Sequence, residues 1–267
     1  MAFITPTPTN TAIITGASSG IGAEFAKVLA ARGWHLTLVA RRADALEAVA
    51  RSINPAAGYD IVPTDLADEP ARSALIESVQ TSTRHPGVLI NNAGLSTMGA
   101  LADSTVAGEL NMLRTNVEAV VHLCTALLPD MIHAGAGAIL NVASTAAFQP
   151  IPGQAGYGAS KAFVLSFTQA IRAEVAGSGV HVTALCPGPV ETGFADAAGI
   201  DPEQARNTLP GIMWESAADV AAAGIQGLER NRMVVIPGAA NRVSSLFGVL
   251  TPKSVLLPVM AKKHPML

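Results

Sequence analysis

Hydrophobic and polar positions along the chain fall into two alternating periods. Residues 11–15 (TAIIT) form a short β-branched apolar run that stops at a glycine and predicts a buried strand. From Gly20 to Arg32 the period changes, and Ile21, Phe25, Val28 and Leu29 make one helical stripe. The exchange then repeats. Residues 36–40 (LTLVA) predict a second strand and 43–53 a second helix, and 59–63 and 69–83 a third pair. A fourth strand at 88–90 runs into Asn91-Asn92-Ala93-Gly94, and a long helix fills 106–134, with Pro129 marking a kink or break. Strand 138–142, helix 155–176, strand 180–185, helix 217–229 and strand 233–236 complete the series.

Strands alternating with helices predict an α/β fold, doubly wound, with a seven-stranded parallel sheet covered by helices on both faces. Strands that are apolar throughout fit that double burial. No repeat and no linker marks a second domain, so residues 1–267 read as one unit. Two segments break the pattern. Residues 191–216 are irregular, with Gly, Pro and Asp scattered through them, which suggests a substrate flap. Residues 244–267 form an apolar C-terminal extension, interrupted by Pro252, Lys253 and Pro258.

Composition narrows the function classes. Hydrophobic residues make up 49% and charged residues 14%, which excludes intrinsic disorder. The mean hydropathy of +0.37 is largely absorbed by the strands, leaving the flap and the extension as the remaining apolar stretches. A net charge of −3 lacks the basic footprint of a nucleic-acid binder. Cys124 and Cys186 sit in apolar runs and read as small buried hydrophobes, consistent with a reduced, cytoplasmic location. No apolar window is long enough for a transmembrane helix, and the N-terminus lacks the features of a signal peptide. The six histidines are scattered, so no metal site is expected.

The turn Thr15-Gly16-Ala17-Ser18-Ser19-Gly20-Ile21-Gly22 follows the first strand and opens the first helix. Gly16 permits a tight turn, and Gly20 and Gly22 let backbone approach a pyrophosphate and let the helix pack on the sheet. The free N–H groups and positive dipole end of the helix favour phosphate. This context points to a Rossmann-type dinucleotide site rather than a merely structural strand–turn–helix. At the end of strand two, an NAD enzyme calls for a carboxylate. Here Ala40 is followed by Arg41 and Arg42, whose guanidiniums suit a 2′-phosphate. NADP(H) is therefore favoured over NAD(H), the alternative being a solvated, basic helix start.

Tyr157 and Lys161 are four apart in a predicted helix and share a face. An ammonium near a phenol lowers the tyrosine pKa, which poises Tyr157 as general acid or base. Ser144 follows a strand, at the sheet edge where active sites of open α/β folds lie, and its hydroxyl can orient a substrate oxygen. The other tyrosine, Tyr59, opens a strand and has no lysine partner. Asn116 sits in an apolar helix, although asparagine is a mediocre helix former.

The T-G-x-x-x-G-x-G spacing, Asn91–Gly94, Asn116, Ser144, Tyr157-Gly158-Ala159-Ser160-Lys161 and Pro187-Gly188 occur in one order. In this the chain resembles the short-chain dehydrogenase/reductase family over about residues 11–237. The resemblance implies a catalytic set of Asn116, Ser144, Tyr157 and Lys161, in which Asn116 kinks its helix and holds a water linking Lys161 to solvent. It implies cofactor contacts from Gly16, Ser18, Ser19, Gly20, Ile21, Gly22, Arg41 and Arg42, and from Asn92, Ala93, Gly94, Tyr157, Lys161, Pro187 and Gly188. Asp65 and Leu66 look like the pair against adenine, although Asp65 also reads as a helix cap. Val190 and Thr192 look like contacts to the nicotinamide carboxamide. Ser19 stands where NADP-type members often carry a second basic residue.

The implied activity is hydride transfer between NADP(H) and a carbonyl or alcohol, with Tyr157 as acid–base, Lys161 lowering its pKa and bonding the nicotinamide ribose, and Ser144 polarising the carbonyl. Phe148, Ile151, Phe194, Leu209, Met213 and Trp214 suggest a hydrophobic substrate, or else local core. A homodimer or homotetramer through the helices carrying Asn116 and Tyr157 is implied as well. Three other readings remain. One is a catalytically silent NADP(H)-binding regulator. Another is a sugar-nucleotide epimerase, whose relatives usually carry a larger C-terminal region. The third is a lipid-associated protein using residues 244–260 and then Lys262 and Lys263. The absence of a strongly charged opposite face favours a hydrophobic lid or subunit contact there instead.

Overall fold

The computed structural model describes residues 3–53, 55–191 and 210–263. Seven strands form one parallel sheet: β1 (Asn10–Thr15), β2 (His35–Ala40), β3 (Tyr59–Pro63), β4 (His85–Asn91), β5 (Gly137–Val142), β6 (Val180–Leu185) and β7 (Val234–Val235). Their order across the sheet is β3-β2-β1-β4-β5-β6-β7. The direction of winding therefore reverses between β1 and β4, which is where a crevice opens beyond the carboxyl ends of the strands.

The helices are α1 (Gly20–Ala31), α2 (Ala43–Ile53), α3 (Glu69–Gln80), α4 (Val106–Leu113), α5 (Ala119–His133), α6 (Ala155–Glu174), α7 (Ala217–Glu229), α8 (Ala239–Leu250) and α9 (Lys253–Lys263). Successive strand residues point to opposite faces and enter separate cores. Ile13, Leu89, Ile139 and Val182 pack with α3, α5 and α6. Ala12, Ile14, Val88, Ile90 and Leu140 pack with α1, α2 and α7. Both faces are thus buried, which accounts for most of the chain's hydropathy.

Several boundaries differ from the sequence pattern. β4 starts three residues earlier than its apolar run, because His85 pairs with Asn10 and its N–H donates to Thr9 O at 2.8 Å. Gly87 leaves the space taken by the Trp34 ring. β7 shrinks to two residues at the sheet edge. The long helix is three pieces, with a π-turn over Arg114–Glu118 between α4 and α5. Pro129 lies inside α5 without ending it. The apolar extension is two helices, α8 and α9, and Pro252 falls between them.

Candidate active site

Each predicted site residue in the described segments sits at or near the carboxyl edge of the sheet. Thr15 ends β1, and its side chain fixes the neighbouring strand. Its Oγ1 donates to Ile90 O (3.2 Å) and accepts from the N–H groups of Asn92 (2.9 Å) and Ala93 (3.0 Å). The Asn92 amide returns to Thr15 O (3.0 Å) and Gly16 O (3.3 Å). The glycine turn and the Asn92–Gly94 loop are thereby one unit. Gly16 has φ +65°, a left-handed backbone that suits glycine. A Cβ on Gly22 would stand 2.1 Å from Gly16 O, so only glycine lets α1 begin this close.

The first turn of α1 carries no acidic residue, and the Ser19 side chain makes no capping bond. Backbone N–H groups and the positive end of the helix dipole are left facing the crevice, as a pyrophosphate requires. Ser18 and Ile21 flank that cradle. Arg41 and Arg42, just past β2, are exposed and join no ion pair among the described residues. The residues of the glycine turn therefore fit the pyrophosphate of a dinucleotide.

Asp65 is not the cap of α3. Its Oδ1 accepts from Ala67 N in a local turn, and the capping side chain is Asp68, which accepts from Ala71 N. Leu66 is only 5% exposed, packs in the core, and gives its carbonyl to Arg72 Nη1 at 2.7 Å. Any contact it makes to a base is through its remaining backbone rather than its side chain. Val190 pairs with Glu215 in an isolated bridge that joins the two ends of the segment around 191–216. Thr192, Phe194 and Leu209 lie outside the described residues.

Ser144 leaves β5 in extended conformation and caps a 3₁₀ turn (Thr145–Phe148), its Oγ accepting from Ala146 N at 3.1 Å. The Ser144 side chain acts on the Tyr157 phenol and draws its pKa down. One turn along α6, Lys161 is 5% exposed and donates to Val142 O at 2.9 Å. Its Nζ lies 5.8 Å from the centre of the Tyr157 ring. Cys186 lies behind this group, with its thiol bonded by the Ser144 N–H; burial pushes it up to about 12, so it stays a neutral thiol.

The electrostatics depart from the expectation that Lys161 lowers the Tyr157 pKa. Burial raises the phenol above its ordinary value, and Ser144 only partly offsets this. Burial also lowers Lys161 to about 8. The ammonium lies over the ring, 5.8 Å from its centre, and is engaged by the Val142 carbonyl, so in the cofactor-free chain desolvation wins over charge. Tyr157 is accordingly a protonated phenol at neutral pH, ready to donate.

Asn116 occupies the π-turn and is fully buried. Its Oδ1 accepts from Leu95 N (2.8 Å), and its Nδ2 donates to Leu95 O (2.9 Å) and Ser160 Oγ (3.0 Å). It thus ties the loop after β4 to α6, beside Tyr157 and Lys161. A Cβ on Gly94 would stand 3.3 Å from Lys161 Nζ and 3.4 Å from Asn116 Oδ1, so these groups flank Gly94. Pro187 O accepts from Thr145 N at 2.8 Å, and Gly188 faces buried Asn241 of α8. Thr15, Ser160 and Asn241 were not expected. The Thr-Gly pair of the turn marks Thr15 and the Tyr157–Lys161 motif contains Ser160, but nothing in the sequence marks Asn241.

A twisted parallel sheet, a phosphate-fitting turn at its switch point and a Ser–Tyr–Lys group beside it define a nucleotide-dependent oxidoreductase of the doubly wound α/β class. The sequence profile described as short chain dehydrogenase matches residues 10–202, so the chain belongs to the short-chain dehydrogenase/reductase family.

Among its relatives are sulfoacetaldehyde reductase 2 of Chromohalobacter salexigens, 39% identical over 68% of this chain and 73% of the relative. Ketoacyl reductase HetN of Nostoc sp. is 32% identical over 92% of this chain and 86% of the relative. Among solved structures, a short-chain dehydrogenase from Sphingobium yanoikuyae in complex with NADPH has 34% identity and a TM-score of 0.80, covering 93% of this chain and 95% of that one. The bulky-bulky ketone specific alcohol dehydrogenase of Comamonas testosteroni has 29% identity and a TM-score of 0.77, covering 96% and 95%. A family member from Burkholderia phymatum in complex with NAD has 28% identity and a TM-score of 0.78, covering 90% and 94%. The chain is an oxidoreductase of the kind that acts on alcohol and carbonyl groups. Both nicotinamide nucleotides occur among its structural neighbours.

Proposed function

We propose that this chain is an NADP(H)-preferring oxidoreductase that interconverts a carbonyl and an alcohol on an apolar small molecule, with Tyr157 as general acid–base. The observation that carries the reading is Ser144, at the end of β5, acting on the Tyr157 phenol, with buried Lys161 one turn along the same helix. A bound nicotinamide supplies or accepts the hydride. Ser144 and Tyr157 together present two hydroxyls to one substrate oxygen. In the reducing direction Tyr157 Oη gives its proton to the developing alkoxide, and in the oxidising direction it takes one. Lys161 Nζ bonds the nicotinamide ribose and, when protonated, stabilises the phenolate that results. Asn116 holds the Leu95 backbone against α6 and so positions the tyrosine and lysine.

Arg41 and Arg42, without a carboxylate at the end of β2, support NADP(H), as does the similarity to a structure holding NADPH. Half-buried Ile151, Met213 and Trp214 support an apolar substrate, with 191–216 as its flap, whereas Phe148 packs against the core. A homodimer or homotetramer and a cytoplasmic location belong to the same reading, with the tail after residue 244 taken up below. Tyr157→Phe is expected to lower kcat by at least about a hundredfold while NADPH binding, read by fluorescence titration, stays within about twofold. Near-normal turnover in that variant would overturn the assignment. Arg41→Ala/Arg42→Ala is expected to raise KM for NADPH by about tenfold or more and to leave that for NADH nearly unchanged.

A further inference from the structure

Charge is unevenly distributed along the chain. Glu229 is the last acidic residue of the sequence. Residues 230–267 hold six Lys and Arg, whereas residues 1–229 hold 11 Lys and Arg against 20 Asp and Glu. α8 and α9 lie in this purely cationic stretch.

α8 is also inverted. The positions it turns toward the protein are Asn241, Ser245 and Gly248, spaced as one helical face and all buried. Asn241 donates to Met213 O at 3.0 Å and sits against Gly188, and Gly248 sits against Gln149. The outward stripe is Val243, Leu246, Phe247 and Leu250, which are 56, 58, 66 and 70% exposed. Val249 beside it and Val255 on α9 are exposed as well. A surface helix ordinarily buries the apolar face and shows the polar one. The sequence pattern, read alone, lacks a charged face opposite the apolar one. The structure supplies the reason: the polar and small residues are consumed by docking on the body. A contiguous apolar stripe left in water marks a contact surface.

Charge decides between occupants. A second copy joined by a two-fold axis through this stripe would bring exposed Arg242 and Lys253 of both copies to one interface, with no carboxylate in the segment to pair them. A negatively charged bilayer matches both the apolar stripe and the cations. We propose that α8 and α9 dock on the surface of anionic lipid bilayers. The α8 stripe enters the headgroup–acyl boundary, exposed Arg242 and Lys253 supply positive charge to the lipid headgroups, and the sequence adds Lys262 and Lys263 at the end of α9. Among the described residues no helix is long and apolar enough to cross a membrane, so the contact is interfacial. Because Gly248 abuts Gln149, next to the turn capped by Ser144, the docked face borders the catalytic cleft. This inference stands on the surface alone and does not depend on the reaction proposed above.

The test is co-sedimentation of the full chain with sucrose-loaded vesicles, either pure phosphatidylcholine or about three parts phosphatidylcholine to one part phosphatidylserine. The chain is expected to sediment with the mixed vesicles, to be released by about 0.5 M NaCl, and to stay in solution with the neutral ones. Leu246→Ser/Phe247→Ser, at exposed positions, is expected to lower the partition coefficient at least about tenfold with an unchanged melting transition. Should that variant fail to fold, Arg242→Glu/Lys262→Glu/Lys263→Glu replaces it, with the same expected loss. A chain that sediments with neither vesicle, or equally with both, overturns the proposal. So does light scattering that shows a larger assembly for the wild type than for the serine variant while neither binds vesicles, for then a second copy covers the stripe.

Discussion

Lys161 carries the site's largest electrostatic cost. Its folded pKa, about 8, lies below the ordinary 10.5, so the unfolded chain binds more protons between those values. The destabilisation is therefore fully present below about pH 8, and stability from this group rises as pH climbs from about 8 to 10.5. Lys161→Met keeps the volume and removes the buried charge. Without cofactor it is expected to be more stable than the wild type by roughly 2 kcal/mol at pH 7, with the advantage shrinking toward pH 10. Guanidinium midpoints across pH read the difference, and a constant difference would show that burial of the charge is not its source. Gly22→Ala tests the turn by shape alone. Its Cβ meets the Gly16 carbonyl, a backbone atom that cannot step aside, so the variant should lose about 1–3 kcal/mol of stability and most of its nucleotide affinity.

At the level of elements, the site is assembled by side chains that staple one segment to another. Thr15 joins the glycine turn to the loop after β4, and Asn116 joins that loop to α6. Thr15→Val is nearly isosteric but leaves the Asn92 and Ala93 N–H groups without their acceptor. A loss of about 2–4 kcal/mol is expected, since an unmet buried donor costs about 1–3 kcal/mol. Thermal denaturation measures it, and a loss below about 0.5 kcal/mol would mean that water replaces the hydroxyl. The Asn116 staple also explains the π-turn. The extra residue in the helix turns the amide toward Leu95, and a helix-breaking role for asparagine alone would not predict that geometry.

For the molecule as a whole, two cores lie on either side of one sheet, and the one packed with α3, α5 and α6 buries both cysteines. Burial pushes each thiol up to about 12, so neither is a thiolate at neutral pH. The native protein is expected to show no rapid reaction with a thiol-specific disulfide reagent, and two equivalents are expected on unfolding. A fast native equivalent would mean that one core opens far more readily than its packing suggests.

The alternation of apolar strands with striped helices was enough to specify the parallel sheet, because continuous hydrophobicity has no other use in short strands. Local spacing was likewise enough for the glycine turn and for Tyr157 and Lys161, since each depends on neighbours within a few residues. Strand pairing extended β4 back to His85, which no local run could signal. Asn241 and Ser160 meet their partners across long stretches of sequence, so only the fold places them in the site. The Tyr157 pKa is the clearest division. Spacing puts the ammonium on the same helix face, but how deeply the phenol is buried, and which carbonyl engages the lysine, depend on β5 and the turn after it. Orientation decided the tail too: sequence shows an apolar stretch with scattered cations, and tertiary packing alone determines that α8 buries its polar side and leaves its apolar stripe outside.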